Sequence, residues 1–294
     1  MTGAALTTGH LTAALDLPPD LDTGPAAAAA DRLPGGWQHH ATAERGDGPA
    51  VTVENAVTPA VTVRGQHIRL RLPPAVAGSV TLAYATYTVL ERARQEQRML
   101  TLHANAVITP DGRGVLLLGN KGAGKTSVTL ALGALGWTHA GDDLTVLAEL
   151  GDELMVLPGR PTAAVRPSDP TLWQAPKPVV ALTPFARVPV PLARVFRLTV
   201  HPGVPHAQTT AATPFSANEQ LRLHEALARY VSGLPTPLTG PNGTPYGPVW
   251  PLDTPALARW RSHLITRLEQ HPYTYLYAPD PRTAADLITQ ETHA

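Results

Sequence analysis

The sequence predicts an α/β chain in which a central mixed sheet carries a phosphate loop at a strand–helix junction, preceded by a small β/α region. Three observations predict it. Val115 to Leu118 is an apolar run of strand type. Gly119-Asn120-Lys121-Gly122-Ala123-Gly124-Lys125-Thr126 then fits G-x-x-x-x-G-K-[ST] at every fixed position. Val128, Ala131, Leu132 and Leu135 follow at helical spacing, and Gly136 stops the helix.

Strand, glycine loop and helix form the context in which backbone N–H groups turn inward around a phosphate, helped by the positive end of the helix dipole. In that context Lys125 reaches the β- and γ-phosphates of a nucleotide and the Thr126 hydroxyl ligates Mg²⁺. The expected cofactor-binding run is Gly119, Asn120, Lys121, Gly122, Ala123, Gly124, Lys125, Thr126 and Ser127. Lysine usage points to the same place. The chain has three lysines, and Lys121 and Lys125 both lie in this loop.

Asp142-Asp143 follow the helix after a short, mixed lead-in, Trp137-Thr138-His139-Ala140-Gly141. Gly-Asp-Asp is good turn chemistry. Beside a phosphate loop it also provides two carboxylates, one to accept a substrate proton and one to work through Mg²⁺. The spacing does not choose which does which.

Around this block the chain reads in order as follows. Residues 1–36 look like a flexible arm, with Ala26 to Ala30 and Leu33-Pro34-Gly35-Gly36 as spacer. They lack a basic start and carry Asp16 and Asp20, which argues against a secretory signal. Residues 37–99 read as a small β-rich region ending in a helix. Val51-Thr52-Val53, Val61-Thr62-Val63 and His67 to Leu72 alternate with period two, placing Ile68, Leu70 and Leu72 on one face and His67, Arg69 and Arg71 on the other. Ser79 to Met99 is an amphipathic helix whose Glu91, Arg92, Arg94, Glu96 and Arg98 suggest a solvated face.

Residues 100–294 read as the phosphate-loop domain. Thr101 to Thr109 and Gly114 to Gly119 bracket the turn Pro110-Asp111-Gly112-Arg113, giving a hairpin that delivers the chain into the loop. Leu144 to Leu150 and Glu153 to Leu157 form a second hairpin around Gly151-Asp152. Pro158 to Pro191 is rich in proline; its Arg160, Arg166 and Lys177 are either phosphate contacts or plain surface cations. Ala193 to Val200 is a strand, Ser216 to Glu219 a capping box opening a helix from Ala217 to Val231, and Leu234 to Pro251 a connector or lid. A helix from Asp253 packs through Leu257, Trp260, Leu264 and Leu268. The strand Tyr273 to Tyr277 and a helix from Arg282 to Thr289 close the chain.

Together, Leu102-His103-Ala104-Asn105-Ala106-Val107, the strand and loop from Val115 to Thr126, and Gly141-Asp142-Asp143 resemble the HPr kinase-like enzymes. The glycine loop and Gly-Asp-Asp are also similar to phosphoenolpyruvate carboxykinase. The resemblance spans about residues 100–160, and Leu157-Pro158-Gly159 and the closing strand and helix look like the family's tail. It implies that His103 is an active-site residue that contacts the transferring phosphate or tunes the base, that Asp142 accepts the acceptor's proton, and that Asp143 joins Thr126 at the metal. Lys121 departs from the pattern, standing where the family usually has Ser or another small residue.

Composition sets further bounds. Net charge is zero with a pI near 7.2, so nucleic acid and anionic membrane are not expected partners. The absence of cysteine excludes disulfides, thiolate metal sites and a cysteine nucleophile, and fits a reducing, cytoplasmic compartment. No stretch is long and apolar enough to span a bilayer. The expected function is ATP-dependent, Mg²⁺-assisted transfer of the γ-phosphate to a hydroxyl of a peptide, a protein serine or a small biosynthetic metabolite, with homo-oligomerisation allowed. The alternative is a nucleotide-binding regulatory or scaffold protein with little turnover. Carboxykinase-type chemistry on a small acid lacks a recognisable metal site beyond the shared loop and aspartates.

Overall fold

The computed structural model describes residues 3–7, 10–30, 33, 36–39, 48–166, 171, 177–231 and 252–293. It divides into two compact units, Met1–Leu100 with Leu227–Arg261, and Thr101–Ala226 with Ser262–Ala294. One division falls between Leu100 and Thr101, and residues 227–261 join the first unit.

The first unit contains β1 (Gly3–Thr7), β2 (Thr12–Asp16), α1 (Gly24–Ala30), β3 (Trp37–His39), β4 (Ala50–Asn55), β5 (Ala60–Arg64), β6 (His67–Leu72), α2 (Pro74–Ala77) and α3 (Val80–Glu96). Its six strands run in the order β3-β1-β2-β4-β6-β5. Residues 1–36, read as a loose arm, therefore hold two paired strands and a helix. Leu6 lies opposite Ala13, and both are buried. The strands are composed mainly of alanine and threonine, so the alternation that marks β6 so clearly is muted there.

Helix α3 starts where expected: the Ser79 hydroxyl accepts from the Thr81 N–H at 3.2 Å. Its expected solvated face is only partly solvated: Glu96 and Arg98 are exposed and Arg92 is half-buried, but Glu91 and Arg94 are not. Glu91 and Arg94 are both inaccessible and form an ion pair at 3.2 Å. Gln95 donates to Glu91 and to the Leu227 carbonyl and accepts from Arg261. Sequence periodicity cannot show that chain more than a hundred residues away covers this face.

The second unit contains most of β7 (Met99–Leu102), then β8 (Asn105–Ile108), β9 (Gly114–Leu118), α4 (Lys125–Ala134), β10 (Thr138–Gly141), β11 (Thr145–Leu150), β12 (Glu153–Leu157), β13 (Thr162–Ala164), β14 (Val179–Ala181), β15 (Val190–Val200), β16 (Gln208–Ala211), most of α5 (Ala217–Ala228), the second half of α6 (Pro255–Glu269), β17 (Tyr273–Ala278) and α7 (Pro281–His293). The segment 234–251, read as a connector or lid, lies outside the described residues. The main path of the curled mixed sheet is β10-β8-β9-β15-β12-β11-β7, with β17 against β15 and β16 against β17. Strand β15 runs parallel to both β9 and β17.

Both expected hairpins form, β8 with β9 and β11 with β12. The first is shorter than predicted, because the chain breaks at His103-Ala104 and β7 pairs at the opposite end of the sheet path. Trp137 to Gly141, read as a mixed connection, is instead led by a buried tryptophan into a real strand, β10, whose His139, Ala140 and Gly141 are buried.

The core beside the glycine loop is made by Leu117, Phe196, Leu198 and Leu276 from the parallel strands, Val128 and Leu132 from α4, and Ala284, Ala285 and Ile288 from α7. Burying side chains of the Val and Leu class contributes roughly 1.5–3 kcal/mol each. Leu135, predicted on the same stripe, caps α4 and is 43% exposed, because Gly136 turns the chain away at φ 91°. Among the described residues no helix is long and apolar enough to cross a membrane.

Candidate functional site

Two breaks in the sheet build the site. The chain passes from β7 to β8 through His103-Ala104 and from β10 to β11 through Asp142-Asp143-Leu144. Each break carries the chain from one end of the sheet path towards the other. The breaks are tied together. The Thr145 hydroxyl donates to the Ala104 carbonyl at 2.9 Å, and the Asp143 N–H donates to Asn105 Oδ1 at 3.1 Å. His103 Nε2 lies 3.5 Å from Asp143 Oδ1.

The acidic turn is tight. The Leu144 N–H donates to the Asp142 carbonyl at 2.7 Å, with Asp143 between them at φ 59°. A non-glycine residue seldom takes that left-handed conformation, and Asp is among those that tolerate it. Such geometry persists where neighbours over-determine it. Residues 158–160 supply that support: the Gly159 N–H donates to Ala140 and the Arg160 N–H to Leu144. A Cβ on Gly159 would run into the Leu144 carbonyl, so only glycine lets this segment pass so close.

On the other flank, the glycine loop joins β9 to α4. Gly124 has φ 88°, and a Cβ there would fall 2.7 Å from the Val200 side chain, so the loop is braced on β15. Lys125 is buried. Its Nζ donates to the carbonyls of Gly119 at 2.9 Å and Asn120 at 3.4 Å, which places the ammonium over the loop. Asn120, Lys121, Gly122 and Ser127 are exposed, with Ser127 on the first turn of α4, while Ala123 and Thr126 are half-buried.

The Thr126 hydroxyl donates to Asp142 Oδ1 at 2.8 Å. Asn105 Nδ2 donates to the same oxygen at 2.6 Å and to the Thr129 hydroxyl at 2.9 Å. Asp142 is inaccessible to solvent, and its Oδ2 has no hydrogen-bond partner. Burial pushes its pKa up, the hydrogen bond from Thr126 opposes that rise, and the neighbouring Asp143 charge adds to it. The Asp143 side chain is 46% exposed. Its hydrogen bond from His103 holds its pKa below the ordinary carboxylate range against some desolvation, and the charges of His103, Lys125 and Arg160 act the same way.

The structure brings Lys125, Thr126, Asp142, Asp143 and His103 together. Thr126, however, meets Asp142, whereas the resemblance sets it with Asp143 at the metal. Arg160 is drawn in: it is buried, its carbonyl accepts from the Asp142 N–H, and its charge acts on both aspartates. Arg166 and Lys177 are exposed. Asn105, to which the sequence gives no role, directly follows the first break and bonds to both aspartates of the second and to Thr129 of α4. The available signal was an amide inside the apolar run Ala104 to Ile108, a residue type depleted in strands.

The residues fit a bound cation. A buried carboxylate with one orphaned oxygen, beside a hydroxyl, needs a positive partner. Among the described residues no group of three or more His, Asp or Glu side chains could hold a metal ion alone.

No family model matches the chain, and no curated protein matches it. Among solved structures the chain is similar to the Hpr(Ser) kinase/phosphatase from Coxiella burnetii at 19% identity and a TM-score of 0.27, over 38% of this chain and 77% of that one.

Proposed function

We propose that the chain is an ATP-dependent phosphotransferase with an alcohol acceptor, and that the glycine loop is its phosphate loop. The observation that carries the reading is the convergence of Lys125, Thr126 and Asp142 at the strand–helix junction, with the His103–Asp143 pair beside them. Mg²⁺, when bound, neutralises charge on the phosphates. Thr126 and Asp142 would hold it.

Lys125 binds the terminal phosphates by releasing its two loop carbonyls. The first turn of α4 adds its dipole end to the same charge. Asp143 accepts the proton of the acceptor hydroxyl, because it is the carboxylate that solvent and substrate can reach, while Asp142 is sealed. His103 orients Asp143 through its Nε2. This reverses the roles that resemblance gives the two aspartates, and the 2.8 Å contact between Thr126 and Asp142 supports the reversal. A protein serine, a peptide and a small biosynthetic metabolite all fit an exposed base.

The test is phosphate transfer from γ-labelled ATP to a cell lysate and a panel of small alcohols, with Mg²⁺ present or chelated. Labelled product that depends on Mg²⁺ and disappears in Asp143→Asn is expected. Tight ATP binding without transfer to any acceptor would favour a nucleotide-binding scaffold instead.

A further inference from the structure

We infer that the cleft on the opposite side of the glycine loop from the aspartates receives the nucleoside half of the nucleotide, held by Tyr277, His201 and Arg222. This rests on the phosphate-loop reading proposed above. The cleft is lined by Gly119–Ala123 of the loop, by Arg197–His201 at the end of β15, by Tyr277 of β17 and by Arg222 of α5, and its volume is about 350 Å³. That lies within the range of small-molecule sites, roughly 300–1,000 Å³.

Topology sets the polarity. Strands β9, β15 and β17 run parallel, and ligands of such sheets sit at the carboxyl ends of the strands. The glycine loop leaves the end of β9. Asp142 and Asp143 follow β10, which lies two strands away on one side, while the cleft walls end β15 and β17 on the other. Phosphoryl transfer needs the attacking and leaving oxygens roughly in line through the phosphorus. With Asp143 as the base, the acceptor approaches from the β10 side. The rest of the donor must then leave on the β15 side, where the cleft begins.

The lining suits that occupant. Among the described residues it contains no carboxylate, and Lys121 and Arg222 are cationic. Arg197 is already spent, since its Nε donates to Glu219 at 2.7 Å and to the Tyr273 hydroxyl at 3.2 Å. Lys121, in the loop itself, therefore remains to meet an α-phosphate, and Arg222 to meet the face of a base. Tyr277 offers an aromatic surface for stacking. His201 Nδ1 accepts from the Gly203 N–H at 2.9 Å, which leaves Nε2–H as the donor of the neutral ring.

The experiment compares magnesium ATP with magnesium tripolyphosphate by titration calorimetry on the full chain. Tripolyphosphate has the phosphates but no nucleoside. The unmodified chain should bind ATP about tenfold or more tightly than tripolyphosphate, the scale of one stacked base. Arg222→Ala, at an exposed helix position, and Tyr277→Ala should each remove most of that advantage and leave tripolyphosphate affinity within about twofold. Equal affinity for the two ligands in the unmodified chain overturns the inference, as does an unchanged ATP advantage in both variants or equal weakening of both ligands. Lys125→Ala separates the two readings: it should weaken both ligands together. If it weakens neither, or if the unmodified chain binds neither, the phosphate-loop reading itself falls.

Discussion

The Thr126 hydroxyl donates to Asp142 Oδ1 at 2.8 Å, joining the first turn of α4 to the end of β10. Asp142 is otherwise an uncomfortable group. It is fully buried, one oxygen is unpartnered, and burial raises its pKa. The stability share of a carboxyl whose pKa is raised in the fold is complete below its unfolded pKa and is lost as pH rises through the folded value. At neutral pH the ionised Asp142 therefore weakens the ligand-free fold. Asp142→Asn should melt at a higher temperature than the unmodified chain at pH 7, and the difference should shrink as pH falls into the acid range. Adding Mg²⁺ with ATP should stabilise the unmodified chain more than the variant. Thermal melts across pH, with and without magnesium ATP, provide the check. A variant less stable at every pH would contradict the cation-site assignment.

Asp143 behaves in the opposite way. Its pKa is held down, chiefly by the hydrogen bond from His103, so its stability share is present above the unfolded pKa and is lost as pH falls through the folded one. As the proposed base it should stay ionised into mildly acid solution. Asp143→Asn should cut turnover by roughly 10²-fold or more while leaving magnesium ATP affinity unchanged. His103→Ala should move the acid limb of the pH–rate profile upward, towards the ordinary carboxylate range. An acid limb that stays in place would remove His103 from this role.

Lys125 binds two loop carbonyls in the ligand-free fold and is the buried cation of the loop. Lys125→Ala should cost about 2–4 kcal/mol of transition-state stabilisation, read from kcat/KM. Turnover equal to that of the unmodified chain would contradict phosphate binding by this loop.

Asn105 is fully buried, and its amide bonds to Asp142, Thr129 and the Asp143 N–H. Asn105→Ala leaves buried groups short of partners and should destabilise the second unit by about 1–3 kcal/mol, measured by urea denaturation. Because the amide also sets the acidic turn, the loss of turnover should exceed what the unfolded fraction accounts for. An Asn105→Ala variant with normal stability and normal rate would show that the turn holds itself.

Much of the second unit was legible in the chain. The glycine loop and its helix are written in local chemistry: a fixed pattern of small residues, one lysine and one hydroxyl between an apolar strand and a helical stripe. The two hairpins were equally local, each announced by its turn residues. The capping box at Ser216 was half right. The Ser216 hydroxyl accepts from the Glu219 N–H at 3.2 Å, but the Glu219 carboxylate is taken by Arg197, Tyr273 and Tyr275. Its partners lie far along the chain, and no local pattern encodes them. The same limit explains the buried Glu91–Arg94 pair of α3 and the alanine-rich strands β1 and β2.

The sequence by itself determined that a phosphate-loop pattern stands between a strand and a helix, and that His103, Asp142 and Asp143 are candidates to work beside it. Spacing places residues along an element and on its faces, because helix and strand periods are local. Only the tertiary structure decided which aspartate meets Thr126, which one stays reachable, and that Asn105 ties both sheet breaks together. Those outcomes depend on two chain breaks some forty residues apart coming into register. Burial of Asp142 and the His103 hydrogen bond to Asp143 then set the two neighbouring carboxyls to opposite pKa directions, a difference that two identical side chains cannot carry in the sequence.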